Sequence, residues 1–253
     1  MSIVEIDLNA LADVVTEVTA ALDQSYDDNP IEHSELDKPQ VIGENLKQFA
    51  QMVQHVDAQY HGTSDGKSRE ALPDKLQDLS QLGDYGLAQL AALSEWAGLL
   101  ELEELQVTLD ELSIPIALWT ARNIGSLQEL RNVVDALSRI ANQTQDPDFL
   151  AELSGIMDEI ANAAAPQVKA DEDKSHAGRP WRMLNLNHGI VATRTHDPAI
   201  MESVFEQILL RLPEDAPTFF REGMEQVEAI DYPGHVREVM EKYYQMTNNP
   251  TLH

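Results

Sequence analysis

"VIGENLKQFAQMVQHVDAQY", residues 41–60, places Ile42, Leu46, Phe49, Val53, Val56 and Tyr60 at alternating steps of four and three. That spacing is the period of one face of an α-helix, so the stretch predicts an amphipathic helix with its apolar side turned to a core. The same pattern runs through residues 7–22, at Leu8, Leu11, Val15, Val18 and Leu22, and through residues 101–113, at Leu102, Leu105, Leu109 and Leu112. All three fit the seam of a helical bundle. None is sustained long enough for an extended coiled coil, and polar loops separate them, so the seams predict packing within one chain.

Further helices follow by their end signals. Asp7 suits an N-cap, with Ile6 and Leu11 at the spacing of a hydrophobic staple. "DYGLAQLAALSEWAGLL" predicts a helix starting at Asp84, after Gly83. Pro115 should end or kink the helix before it, because proline lacks the N–H that a helix interior uses. "SLQELRNVVDALSRIAN" opens with Ser126 and Glu129 at capping-box spacing, and Asp146 with Pro147 suits the N-cap and first position of the helix after it. Residues 26–40 and 61–73 read as exposed loops. No alternating run of strand length appears; "SIVEI", residues 2–6, is a short exception. The fold class is therefore all-α.

The polar run "QVKADEDKSHAG", residues 167–178, divides the sequence. We expect an acidic helical bundle over 1–166, a linker over 167–178 and helical-repeat-like hairpins over 179–253. The last expectation rests on "PAIMESVFEQILL" from Pro198 and "PGHVREVMEKYYQ" from Pro233. These align with Val204 on Val239 and Glu206 on Glu241, and apolar residues match at Met201/Val236, Phe205/Met240, Ile208/Tyr243 and Leu209/Tyr244. The unit resembles a tetratricopeptide-type repeat in length alone. With Gly223 at that signature's glycine, Glu222 stands where leucine belongs and Gln226 where tyrosine does.

Composition narrows the function. The chain has 253 residues, a formal net charge of -27 and no cysteine, which excludes disulfides, thiolate metal sites and a cysteine nucleophile. Residues 1–120 hold 23 acidic and 5 basic side chains, a surface that repels nucleic-acid phosphates and anionic membranes. Such acidity fits solubility, a basic protein partner, nucleic-acid mimicry or life at high salt. Neither a signal peptide nor a spanning segment is evident, and a soluble cytoplasmic protein is expected. No H-E-x-x-H, phosphate loop, G-x-G-x-x-G or EF-hand loop occurs. His55 and His61 are too far out of phase for a shared metal, and His33, Glu35 and Asp37 read as solvated loop polarity in preference to a weak cation site. Glu101, Glu103, Glu104, Asp110 and Glu111 read as a solvated acidic rim. No metal or cofactor is expected.

One stretch breaks the acidic trend. "GRPWRMLNLNHGIVATRTHDP", residues 178–198, gathers Arg179, Trp181, Arg182, Asn185, Asn187, His188, Arg194 and His196, just after His176. Arginine forks suit carboxylates and phosphates, and Trp181 between two arginines suits a cation–π stack or an exposed anchor. "NLNHG" is a poor helix interior, and Gly189 permits a break. The stretch therefore predicts either docking of the two halves through the chain's own carboxylates or a binding site for an acidic partner or small anion. Catalysis by His188 or His196 lacks a partner readable from spacing. The expected role is a non-enzymatic protein-binding protein: an adaptor, an assembly factor or a folding chaperone. The alternatives are an anion- or metal-dependent binder or enzyme built on residues 176–198, and an acidic nucleic-acid mimic.

Overall fold

A computed structural model describes residues 8–31, 33, 35–61, 73–123, 125–170 and 176–248. Among the described residues there are eleven α-helices and no strand, so the protein is all-α. Asp7, Ile6, the central part of the 61–73 loop and residues 171–175 of the expected linker lie outside the described residues.

The chain divides into two compact units, Met1–Ala136 and Leu137–His253. That division falls some way before the boundary expected at 166/167. The reason is that α6 (Pro147–Ala163), expected to close the first bundle, packs on α8 (Pro180–Arg194). Residues 166–170, which overlap the expected linker, form the short helix α7 (Pro166–Ala170).

The first unit is built on α1 (Leu8–Asp28), α2 (Pro39–His61), α3 (Pro73–Leu99) and α4 (Glu103–Arg122). Their seams meet as the periodicity requires: Leu11, Val15, Val18, Leu22, Ile42, Leu46, Phe49 and Val53 are all buried. Helix α1 packs on α2, α2 on α3, and α3 on α4. Trp96 closes this core, its Nε1–H donating to the Asp37 carbonyl at 2.8 Å and its ring meeting Tyr26 edge-on at 5.3 Å.

Three local expectations are corrected here. Helix α3 begins at Pro73 and passes through Gly83 and Gly86 rather than starting at Asp84. A Cβ at Gly83 would stand 2.2 Å from Thr120 Oγ1, and one at Gly86 2.4 Å from the Phe49 ring, so these glycines let neighbouring helices approach instead of marking an end. Pro115 does not end α4: it sits inside the helix, which continues to Arg122. An interior proline costs a helix about 3 kcal/mol through its missing N–H and its ring clash, and burial of Leu112, Ile114, Ile116 and Leu118 around it outweighs that. The capping box at Ser126 does not form, because helix α5 (Arg131–Gln143) starts five residues later. Backbone N–H groups of Gln128 and Glu129 donate instead to Asp84 Oδ1, at 2.8 and 3.2 Å, and that of Ser126 to Ser80 Oγ at 2.7 Å.

Asp110 also departs from its expected solvated rim. It is 6% exposed, and its Oδ1 accepts from Ser94 Oγ and Asn132 Nδ2, both at 2.7 Å. The carboxylate thereby ties α3, α4 and α5 together.

The second unit comprises the end of α5, then α6, α7, α8, α9 (Pro198–Arg211), α10 (Ala216–Ala229) and α11 (Gly234–Asn248). Asp146 caps α6 as its spacing predicts, accepting from the Asp148 N–H at 3.1 Å. The positions aligned at an offset of 35 share one core: Met201, Val204, Phe205 and Ile208 of α9 are buried with Val236, Val239, Met240 and Tyr243 of α11. Phe205 anchors them, with Phe220 and Tyr243 edge-on at 5.0 and 5.2 Å. Helix α8 runs unbroken through Gly189, against the expected break. Its missing side chain is the space filled by Phe219 and Ile208, whose atoms lie 2.5 and 2.6 Å from where a Cβ would stand.

Candidate functional site

A stripe at helical spacing, Trp181, Asn185, His188 and Ala192, forms the inner face of α8. The first three are 3%, 2% and 2% exposed, so they line a core rather than a surface. The cation over Trp181 comes from neither flanking arginine. Arg211, at the end of α9, stands 5.5 Å from the ring centroid. Its Nη1 donates to Asn185 Oδ1 at 3.0 Å and its Nη2 to Asn162 Oδ1 at 2.7 Å, while Asp158 Oδ1 lies 4.0 Å away. Burial lowers the Arg211 pKa, and the Asp158 charge opposes the shift.

The other residues of the stretch are engaged within the fold. Arg182 donates from Nε and Nη2 to Asp215 Oδ1, at 2.9 and 2.7 Å, and from Nη1 to the Ala177 carbonyl at 2.8 Å. Arg194 reaches the carbonyls of Ala141 and Thr144, at 2.9 and 2.5 Å. Arg179 Nη1 donates to the His176 carbonyl at 2.8 Å, and Asn187 Nδ2 to Ser138 Oγ at 2.6 Å. His196 is exposed in the turn before α9, with φ 57° and its ring 5.3 Å from Tyr232. The eight residues thus make no single surface. Three are core, and four hold helices, turns and carbonyls in place.

His188 Nε2 and Ser154 Oγ are 2.8 Å apart beside a cleft of about 360 Å³ that Asp158 and Ser203 also line. Burial, with the Arg211 charge, pushes the His188 pKa down to about 4, so the ring is neutral near pH 7; a hydrogen bond to the Ser154 backbone offsets this only in part. A hydroxyl beside a neutral imidazole is the start of a nucleophile–base pair. Acyl transfer further requires an orienting group on the base and free N–H donors for an oxyanion. Among the described residues no carboxylate bonds His188, and the N–H groups of Ala199 and Ile200 at the cleft already donate to Asp197 Oδ1. No group of three or more His, Asp or Glu residues among the described ones is placed to hold a metal ion.

A second concavity, which the sequence reading missed, is larger. A groove of about 750 Å³ lies between α8, α10 and α11. Phe219, Tyr232 and Met240 line it, together with Ile190 and Ile230, which are 50% and 62% exposed. Glu222 and Glu225 of α10 line it as well. In sequence it is marked by little more than two isoleucines 40 residues apart, Ile190 beside Arg194 and Ile230 beside Asp231.

No helix among the described residues is long and apolar enough to cross a membrane. Comparison of the chain with protein-family models, curated proteins and solved structures finds no match.

Proposed function

We propose that the protein works by binding another protein, as an adaptor, assembly factor or folding chaperone, through the helical surface of residues 137–253. The observation that carries this reading is the groove between α8, α10 and α11, which Ile190 and Ile230, half or more exposed, line together with Phe219, Tyr232 and Met240. Apolar side chains left in water around a concavity gain free energy when a partner covers them. The arginines of residues 178–198 support the reading indirectly. Each spends donors on the fold's own oxygens, which leaves the groove as the better-built recognition feature.

The test is photo-crosslinking in cells. A benzoylphenylalanine placed at position 190 or 230 should yield the same discrete adduct with another polypeptide. The same probe at Glu152, exposed on α6, serves as the control. Adducts of equal yield at all three positions, or none at 190 and 230, refute the reading.

A further inference from the structure

We infer that the groove's occupant is an amphipathic helix with lysine or arginine flanking its apolar face. This rests on the protein-binding reading above and names its partner class. The apolar part is set by Ile190 on α8 and Ile230 after α10, exposed side chains that line the groove together with Phe219 and Met240. A groove between helices that offers separated apolar anchors suits residues spaced three and four apart on an incoming helix.

The charge follows from α10. That helix and the turn after it, residues 216–232, carry Glu222, Glu225, Glu228 and Asp231 against one basic residue, Arg221. Glu222 and Glu225 line the groove itself. Arg221 approaches Glu222 at 4.0 Å, and Arg237 approaches Asp231 at 3.4 Å. Glu225 and Glu228 are exposed and form no ion pair among the described residues. The nearest cation in the groove wall, Arg194, has both terminal nitrogens committed to the Ala141 and Thr144 carbonyls. An acidic helix entering here meets like charge, whereas a basic one gains complementary partners along one wall. The same rule disfavours a second copy of this chain, whose formal charge is -27.

The experiment uses the full chain and labelled helical peptides of roughly 18 residues, long enough to present two turns or more of apolar face. One peptide is built from leucine and lysine, a second has glutamate for every lysine, and a third has serine for every leucine. Fluorescence anisotropy at about 150 mM salt suppresses long-range attraction. The leucine–lysine peptide should bind and the other two should not. Ile190→Ser with Ile230→Ser should weaken binding about tenfold, and Glu222→Gln with Glu225→Gln about fivefold. Glu103→Gln with Glu104→Gln, the same charge change at the exposed start of α4, should alter binding by less than about twofold. Circular dichroism melts confirm that each variant folds.

Equal binding of the leucine–glutamate peptide overturns the inference. So does equal loss from both glutamate pairs, or indifference to the isoleucine pair. A dimer that the isoleucine substitutions dissolve, seen by sedimentation, overturns it in favour of a second copy. Crosslinks at position 190 with no peptide binding overturn the basic-helix class and leave the protein-binding reading standing. Absence of both removes both.

Discussion

Ser154 Oγ and His188 Nε2 meet at 2.8 Å with both side chains buried, although 34 positions separate them in the chain. The bond joins α6 to α8 at the middle of each helix. It also holds a histidine where protonation is costly.

His188 titrates near 4 in the fold and near its ordinary 6.5 when unfolded. Between those values the unfolded chain binds the extra proton, so stability falls as pH drops from 6.5 towards 4. The full difference is roughly 3 kcal/mol, complete once pH is below 4 and absent above 6.5. Urea unfolding of wild type and His188→Gln across pH 4–7 isolates this term, because the carboxylates are common to both. The wild-type curve should fall more steeply, and parallel curves would contradict the assignment.

Two glycines of the second unit should respond in opposite directions. Gly155, exposed on α6, has nothing within 4 Å of a new Cβ, and Gly155→Ala should stabilise by roughly 0.5–1 kcal/mol. Gly189→Ala meets Phe219 and Ile208 within 2.6 Å and should destabilise by about 1–3 kcal/mol despite alanine's better helix propensity. Denaturant midpoints of the two variants check this.

The Arg182–Asp215 pair should show real coupling. Both side chains are about three-quarters buried, at 22% and 25% exposure, and two donors converge on one oxygen. A double-mutant cycle of Arg182→Gln and Asp215→Asn should give about 1–2 kcal/mol, falling modestly with salt. The more exposed Lys242–Glu202 pair, also at 2.7 Å, should give the smaller coupling of the two.

In the first unit, Asp110→Ala leaves the Ser94 hydroxyl and the Asn132 amide without their buried acceptor. Stability should fall by about 2–4 kcal/mol. Ser94→Ala removes one donor, keeps the carboxylate bonded to Asn132, and should cost visibly less. Equal losses would argue against the shared-acceptor geometry.

The helices themselves were readable, because a phase of three and four survives any tertiary arrangement. Leu11 to Leu22 and Ile42 to Val53 are buried as their spacing requires. Helix ends failed where a distant side chain competes for the local donors. Asp84 takes the N–H groups of Gln128 and Glu129, and no property of residues 126–129 announces it. Gly83 and Gly189 misled for a related reason: a glycine filled by a neighbour and a glycine that ends a helix are identical in sequence. In the site, Trp181, Asn185 and His188 stand four and three apart, a helical face that the poor helix propensity of Asn185, Asn187 and Gly189 conceals. That the face is buried, with Arg211 as its cation, depends on a residue 26 positions beyond Asn185. The groove is still less legible, since it is a gap between helices rather than a property of any one.

Helix α5 carries the divide between the compact units inside its own length. The contact boundary at Ala136/Leu137 leaves six residues of the helix on one side and seven on the other. Fragments of that length do not hold helical hydrogen bonds unaided, since isolated helices need about 12–15 residues even to be marginal. Each half also carries apolar side chains that the intact helix buries, Val133 and Val134 before the boundary and Leu137 and Ala141 after it. Expression of either unit alone thus calls for overlapping fragments, the first ending after Gln143 and the second beginning before Arg131. A cut placed at the boundary itself would yield two frayed, sticky ends.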